Sequence, residues 1–174
     1  MRNLFRIVFL LLALAANAAL AQQSIVYTVE GIGGKTPANS FTWGVTTTNT
    51  PAIGAGAGAS GKPAFPDSTL TIPIGDGAVQ WAQWAMRGET LKAVLVEFPV
   101  KGARASDPAP FAIRLYFVVV TSVTLGKSGD GGPGTAEIKL KAARVDLFSA
   151  HQDPTGRMSP GAKAGYDIKA GKAF

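Results

Sequence analysis

The segment Gly56-Ala57-Gly58-Ala59-Ser60-Gly61-Lys62-Pro63 spells G-x-x-x-x-G-K, the pattern of a loop whose backbone amides cradle phosphates. That chemistry also needs a Ser or Thr after the lysine to hold magnesium, and a helix starting there so that its free N–H groups aim at the phosphates. Pro63 supplies neither, and Ala64-Phe65-Pro66-Asp67 continues as loop. The stretch therefore reads as a flexible glycine-alanine loop. Gly126-Lys127-Ser128 has Thr121 where the upstream glycine belongs and reads as a hairpin connection. His151 is the only histidine and there is no cysteine, so a Ser-His-Asp triad would depend on this one imidazole and a His- or Cys-rich metal site is ruled out. Its surroundings, Ser149 to Gly156, have turn composition, and a solvated loop is expected. Glu30, Glu89, Glu97 and Glu137 could in principle pair for glycoside hydrolysis, but they fall in separate elements. Trp43, Trp81 and Trp84 could line a sugar platform, although packing in a core and on a helix face is the preferred reading. No catalytic residue, metal or cofactor is expected.

The elements that would position these residues are mostly strands. Ile25, Tyr27 and Val29 alternate with more polar neighbours, as do Phe41, Trp43, Val45 and Thr47, which is the period of half-buried strands. From Phe111 to Leu125 the residues Phe111, Ile113, Leu115, Phe117, Val119, Thr121, Val123 and Leu125 are expected on one face of a long strand rich in β-branched side chains. Between Ala136 and Phe148 the apolar phase passes from Ile138 and Leu140 to Val145 and Leu147. That change predicts a bulge near Ala142 to Arg144, of the kind that bends strands around barrels. Asp76 to Gly88 alone is written as a helix, with a capping-type aspartate, Val79, Ala82, Ala85 and Met86 at helical spacing, and a terminal glycine. Long glycine-rich connections run over Asn49 to Lys62, Gly102 to Pro110 and Gly126 to Gly134. The fold class expected is mainly β: an antiparallel β-barrel or two-sheet sandwich with one short flanking α-helix.

Composition bounds the rest. A chain of 174 residues that is 47% hydrophobic and 16% charged, with a net charge of +6, is neither a disordered polymer nor a disulfide-stapled miniprotein. Arg2 and Arg6 precede an apolar run from Ile7 to Ala16, and Ala19-Leu20-Ala21 has the small residues of a cleavage site. Residues 1–21 are read as a signal peptide cut before Gln22, and 22–174 as one β-barrel domain. Past the signal no apolar run approaches the roughly 18–20 residues that span a bilayer, so the mature protein is expected in the periplasm or outside the cell with no membrane partner. The bases are scattered singly from Lys35 to Lys172, so no nucleic acid is expected either.

The order of pieces resembles the Hcp family, the tube proteins of type VI secretion systems. The resemblance lies in Ser40-Phe41-Thr42-Trp43-Gly44-Val45-Thr46, the Gly/Ala-rich loop ending Gly61-Lys62, then Thr69-Leu70-Thr71-Ile72 and the single helix. It continues through Gly88-Glu89-Thr90-Leu91-Lys92-Ala93-Val94-Leu95, Val119-Val120-Thr121-Ser122-Val123, Ile138-Lys139-Leu140 with Ala143-Arg144-Val145, and Gly165-Tyr166-Asp167-Ile168. These matches span nearly all of the chain after the signal.

The resemblance implies a non-enzymatic subunit that closes into homohexameric rings, stacks them into a tube, and is secreted as a carrier of small effector proteins, with spike protein and sheath as further partners. It also assigns Asn49 to Lys62 to the family's extended loop, with Gly54, Gly56, Gly58, Gly61 and Lys62 as the ring-stacking residues. Apolar patterning on both faces of Val94, Leu95, Val96 and Phe98 fits a sheet that self-association helps to cover. Family members ordinarily assemble in the cytoplasm, and a signal peptide departs from that pattern. The alternative reading is an exported periplasmic or secreted ligand-binding β-barrel module outside any contractile tube. A short Lys-rich tail is expected after the last strand.

Overall fold

A computed structural model describes residues 25–47, 62–100, 108–127, 129, 132–154 and 157–174; the signal segment 1–21 lies outside them. In chain order the elements are β1 (Val26–Val29), β2 (Thr36–Pro37), β3 (Ser40–Thr42), β4 (Ser68–Pro73), helix α1 (Asp76–Arg87), β5 (Thr90–Phe98), β6 (Phe111–Gly126), β7 (Thr135–Lys141), β8 (Arg144–Gln152), β9 (Met158–Asp167) and β10 (Lys172–Ala173).

Every strand pairing is antiparallel, and β6 organises the sheet by serving three partners. On one side it pairs with β5. On the other, Phe111 to Tyr116 pair with β8 and Val119 to Gly126 pair with β7. The path β1-β5-β6-β7-β4-β3 is closed by the segment that carries β2 into β3. There the Ala38 N–H donates to the Ile25 carbonyl at 3.0 Å and the Asn39 N–H to the Thr71 carbonyl at 2.8 Å, stitching β1 to β4. Closure removes the open edges that would invite unspecific pairing. From the first half of β6 a wing of β8, β9 and β10 extends beyond the barrel.

The predicted bend between Ile138 and Val145 is present: Ala142 and Ala143 separate β7 from β8, and the Ala143 N–H donates to the Tyr116 carbonyl at 3.0 Å. The uninterrupted face expected along β6 is not. Ile113 and Leu115 point into the core, but beyond them the buried residues are Val118 and Val120, and Phe117 is 59% exposed. Phe117 has φ = 50° and sits where β6 passes from β8 to β7. The corner costs one residue of alternation, and valines on both parities hide that loss in the sequence. A second register shift at Thr121 follows, where its hydroxyl donates to Asp67 Oδ2 at 2.7 Å.

The helix occupies the predicted span but presents another face. Ala78, Trp81 and Trp84 are buried, whereas Val79 and Met86 are 60% and 79% exposed. One residue is about 100° of helix rotation, and the two indoles offer far more apolar area than valine and methionine. Trp81 and Trp84 meet edge to face at 4.9 Å, and the Trp81 indole N–H donates to the Tyr27 hydroxyl at 3.3 Å. Gly75 rather than Asp76 takes the N-cap position, leaving the aspartate in the first turn where the helix dipole favours a carboxylate. At the other end Gly88 has φ = 63°, its N–H donates to the Ala85 carbonyl and that of Glu89 to the Trp84 carbonyl, the pairing for which a left-handed glycine is suited.

Leu70, Ile72, Val94, Val96, Leu115, Ile138 and Leu140 fill the barrel beneath this helix. Two expected segments differ. The strand read from Phe41 to Thr47 ends at Thr42, apart from an isolated bridge at Thr46. The Lys-rich tail turns back as β10, pairing Lys172 with Asp167 and Ala173 with Tyr166.

Candidate functional site

Of the residues assigned to ring stacking, Gly54, Gly56, Gly58 and Gly61 lie outside the described residues, and Lys62 is described. The root of their loop is tied. Thr46 N–H donates to the Ala64 carbonyl at 2.9 Å and Ala64 N–H to the Thr46 carbonyl at 2.7 Å, a reciprocal antiparallel bridge. Beside it Trp43 and Phe65 have ring centroids 6.4 Å apart, and Phe65 lies 4.8 Å from Tyr166 on β9. The loop thus departs from the wing's barrel-facing side on a three-ring aromatic base. Lys62 runs over the β9–β10 turn, its Cε 3.9 Å from where a Cβ would stand on Gly171. Between root and wing is an apolar cleft of about 180 Å³, lined by Trp43, Val45, Phe65, Leu147, Ala164 and Tyr166 among others.

On the opposite side of the wing is a charged cluster that inspection of candidate catalytic types did not single out. Asp146 is fully buried. Arg144 grips it with two bonds, Nε to Oδ1 at 2.9 Å and a terminal nitrogen to Oδ2 at 3.0 Å, while Lys163 Nζ stands 3.4 Å from Oδ2. Burial pushes the Asp146 pKa up, but the hydrogen bonds and charges of Arg144 and Lys163 outweigh it and hold the carboxyl below its ordinary range. The same bond to Asp146 raises Arg144. The guanidinium lies against two rings, 4.9 Å from Tyr116 and 4.3 Å from Phe174. A signal for this cluster was legible: Arg144 and Asp146 share parity on a strand whose Val145 and Leu147 face inward.

The other candidates stay dispersed. Glu30 pairs with Lys92, Glu89 with Arg87, Glu97 with Lys35 and Glu137 with Lys139, four carboxylates each matched to a different cation. Glu97 is the one nearly buried, with Lys35 Nζ 3.0 Å from Oε2. His151 is exposed but lies in β8, opposite Ser159, rather than in a loop. The extended β8–β9 hairpin keeps it in register despite its turn-like neighbours. Trp81 and Trp84 are core residues and Trp43 is half-buried. Among the described residues no three or more His, Asp or Glu side chains gather as a metal site, and no helix is long and apolar enough to cross a membrane.

No family model matches the sequence, and no curated protein matches it. Solved structures do match in three dimensions. One described as a type six secretion system protein superposes with a TM-score of 0.74 over 86% of this chain and 98% of that one, at 17% identity. Hcp1 from Salmonella typhimurium gives a TM-score of 0.65 over 86% and 97%, at 18% identity. The fold is that of the Hcp proteins. A type VI secretion system effector from Yersinia pestis shares it as well, with a TM-score of 0.60 over 83% of this chain and 99% of that one, at 15% identity. The Hcp fold thus accounts for the barrel, lateral helix and wing together, which no short sequence motif did alone.

Proposed function

We propose that this chain is a non-enzymatic subunit of a type VI secretion tube, closing into homohexameric rings that stack and carry small effectors. The observation that carries the reading is the near-complete coverage of a type six secretion system protein by the barrel, helix and wing, at a TM-score of 0.74. The surface supports it. Phe117, Val119, Leu125, Val79 and Met86 are large apolar side chains left exposed on a single copy, and burying them against further copies is what closed ring symmetry accomplishes. Gly54, Gly56, Gly58, Gly61 and Lys62 then act between rings, from the tied root at Thr46 and Ala64. The signal read over residues 1–21 adds an export step, after which the protein works in the periplasm or outside the cell. Spike, sheath and effector proteins are the further partners of this reading.

Size-exclusion chromatography with light scattering, followed by negative-stain microscopy, tests it. A stable hexamer appearing as rings is the expected result. A monomer that persists at high concentration overturns it. Amino-terminal sequencing of the protein recovered from cells tests the export step, with a start at Gln22 expected.

A further inference from the structure

We propose that the apolar cleft at the root of the Thr46–Ala64 loop is a docking site for an acidic segment of a partner protein that carries one large apolar side chain. This inference does not depend on ring formation.

The cleft's volume sets the size of what enters. A cavity of about 150 Å³ lined by aliphatic and aromatic groups holds a benzene-sized guest, and pockets for larger ligands begin at about 300 Å³. At about 180 Å³ the site takes one aromatic or branched aliphatic group. Its walls come from two independent parts of the fold: Trp43, Val45 and Phe65 from the loop root, Leu147, Ala164 and Tyr166 from the wing. Val45 is 47% exposed at its mouth, so the cleft opens to solvent and is not part of the sealed core.

Charge sets the flanking chemistry. Lys62, which precedes the root, lies over the turn that holds Lys169. Both lysines are exposed, and neither forms an ion pair with a described residue. Asp167 accepts the Ala170 N–H at 2.7 Å and pairs across the ladder with Lys172, which lies with Phe174 on the wing's other face. Lys163 and Arg144 serve Asp146 on the opposite side of the wing. An apolar socket with two exposed lysines at one end fits an apolar anchor flanked by carboxylates, because the lysines steer and the socket discriminates.

Fluorescence anisotropy on the purified protein tests this with a labelled acidic heptapeptide bearing one central phenylalanine, and with the same peptide carrying alanine there. Saturable binding is expected for the first, with about tenfold or greater loss for the second. Changing Lys62 and Lys169 together to Glu should cost at least about tenfold and flatten the salt dependence between about 0.05 M and 0.5 M, whereas Lys172→Glu, on the other face, should cost much less. Lys62 and Lys169 are solvent-exposed, so the double variant should fold. Ala164→Trp should fill the cleft and abolish binding with the lysines intact. Equal binding of the two peptides, or unchanged binding by Ala164→Trp, overturns the proposal. If no peptide binds and Ala164→Trp instead weakens self-association on dilution, the occupant is a second copy and the proposal is likewise overturned.

Discussion

Arg144 Cζ lies 4.3 Å from the centre of the Phe174 ring, and that ring occupies the space a side chain on Gly165 would need. Reciprocal backbone bonds between Gly165 and Phe174, at 3.1 and 3.0 Å, continue the ladder begun by β10. The ring thereby packs on the backbone of β9 and on the guanidinium that holds Asp146. Phe174→Ala should cost about 1–2 kcal/mol in urea unfolding, the range of a partly exposed cation–π contact plus some lost ring burial. Gly165→Ala should also destabilise, but much less when Phe174 is already alanine. Additive effects in that double-mutant cycle would contradict the packing described.

Asp146 makes the stability of the wing dependent on pH. Its folded pKa lies below the ordinary value, so the ionised, paired form contributes stability above the unfolded carboxylate's pKa of about 3.9. That contribution is lost as pH falls through the lower folded value. Thermal melts should fall in the acid limb below about pH 4, and Asp146→Asn should flatten that part of the curve. At neutral pH the same variant should lose on the order of 2 kcal/mol. This is less than the roughly 3–5 seen when a fully buried pair is broken, because Arg144 and Lys163 are 36% and 54% exposed and can turn to water.

What could be read from sequence follows from how loudly each physical cue is written. The shift of apolar phase from Leu140 to Val145 has one reading, a bend, and the break stands at Ala142 and Ala143. The corner at Phe117 has no such cue, since Phe117, Val118, Val119 and Val120 are apolar on both parities and only φ shows which one turns out. The closing of the barrel by residues 36–42 and the return of β10 are long-range pairings with too few residues to carry a period. The cleft was equally hidden. Trp43 and Tyr166 are 123 positions apart in sequence, and they line one site only because the loop root crosses the wing.

The face of α1 offers a direct test of the packing. Trp81 is 1% exposed beneath Tyr27 and Trp84, so Trp81→Ala should cost about 3–5 kcal/mol. Val79→Ser and Met86→Ser, on the solvent side, should change monomer stability by less than about 0.5 kcal/mol each. Any larger effect of the two serine variants should appear as weakened association in light scattering, since both residues belong to the exposed apolar set. A Trp81→Ala protein as stable as its parent would place the helix differently.

Removal of Gly54 to Gly61 should separate folding from assembly. The loop is closed at its root by the Thr46–Ala64 bridge and by the contact of Phe65 with Trp43 and Tyr166, none of which needs the residues removed. Loop-closure entropy changes only slowly with length, by about 0.6 kcal/mol per halving, so a shorter connection should leave the melting temperature within a few degrees. Single rings should still form, as the barrel and its exposed apolar side chains are untouched. Their stacking should fail if the glycine-rich segment reaches the neighbouring ring, as proposed. Electron microscopy under conditions where the parent makes multi-ring tubes decides it: tubes of unchanged length from the shortened protein would remove Gly54, Gly56, Gly58 and Gly61 from the stacking contact and leave Lys62 and the wing to carry it.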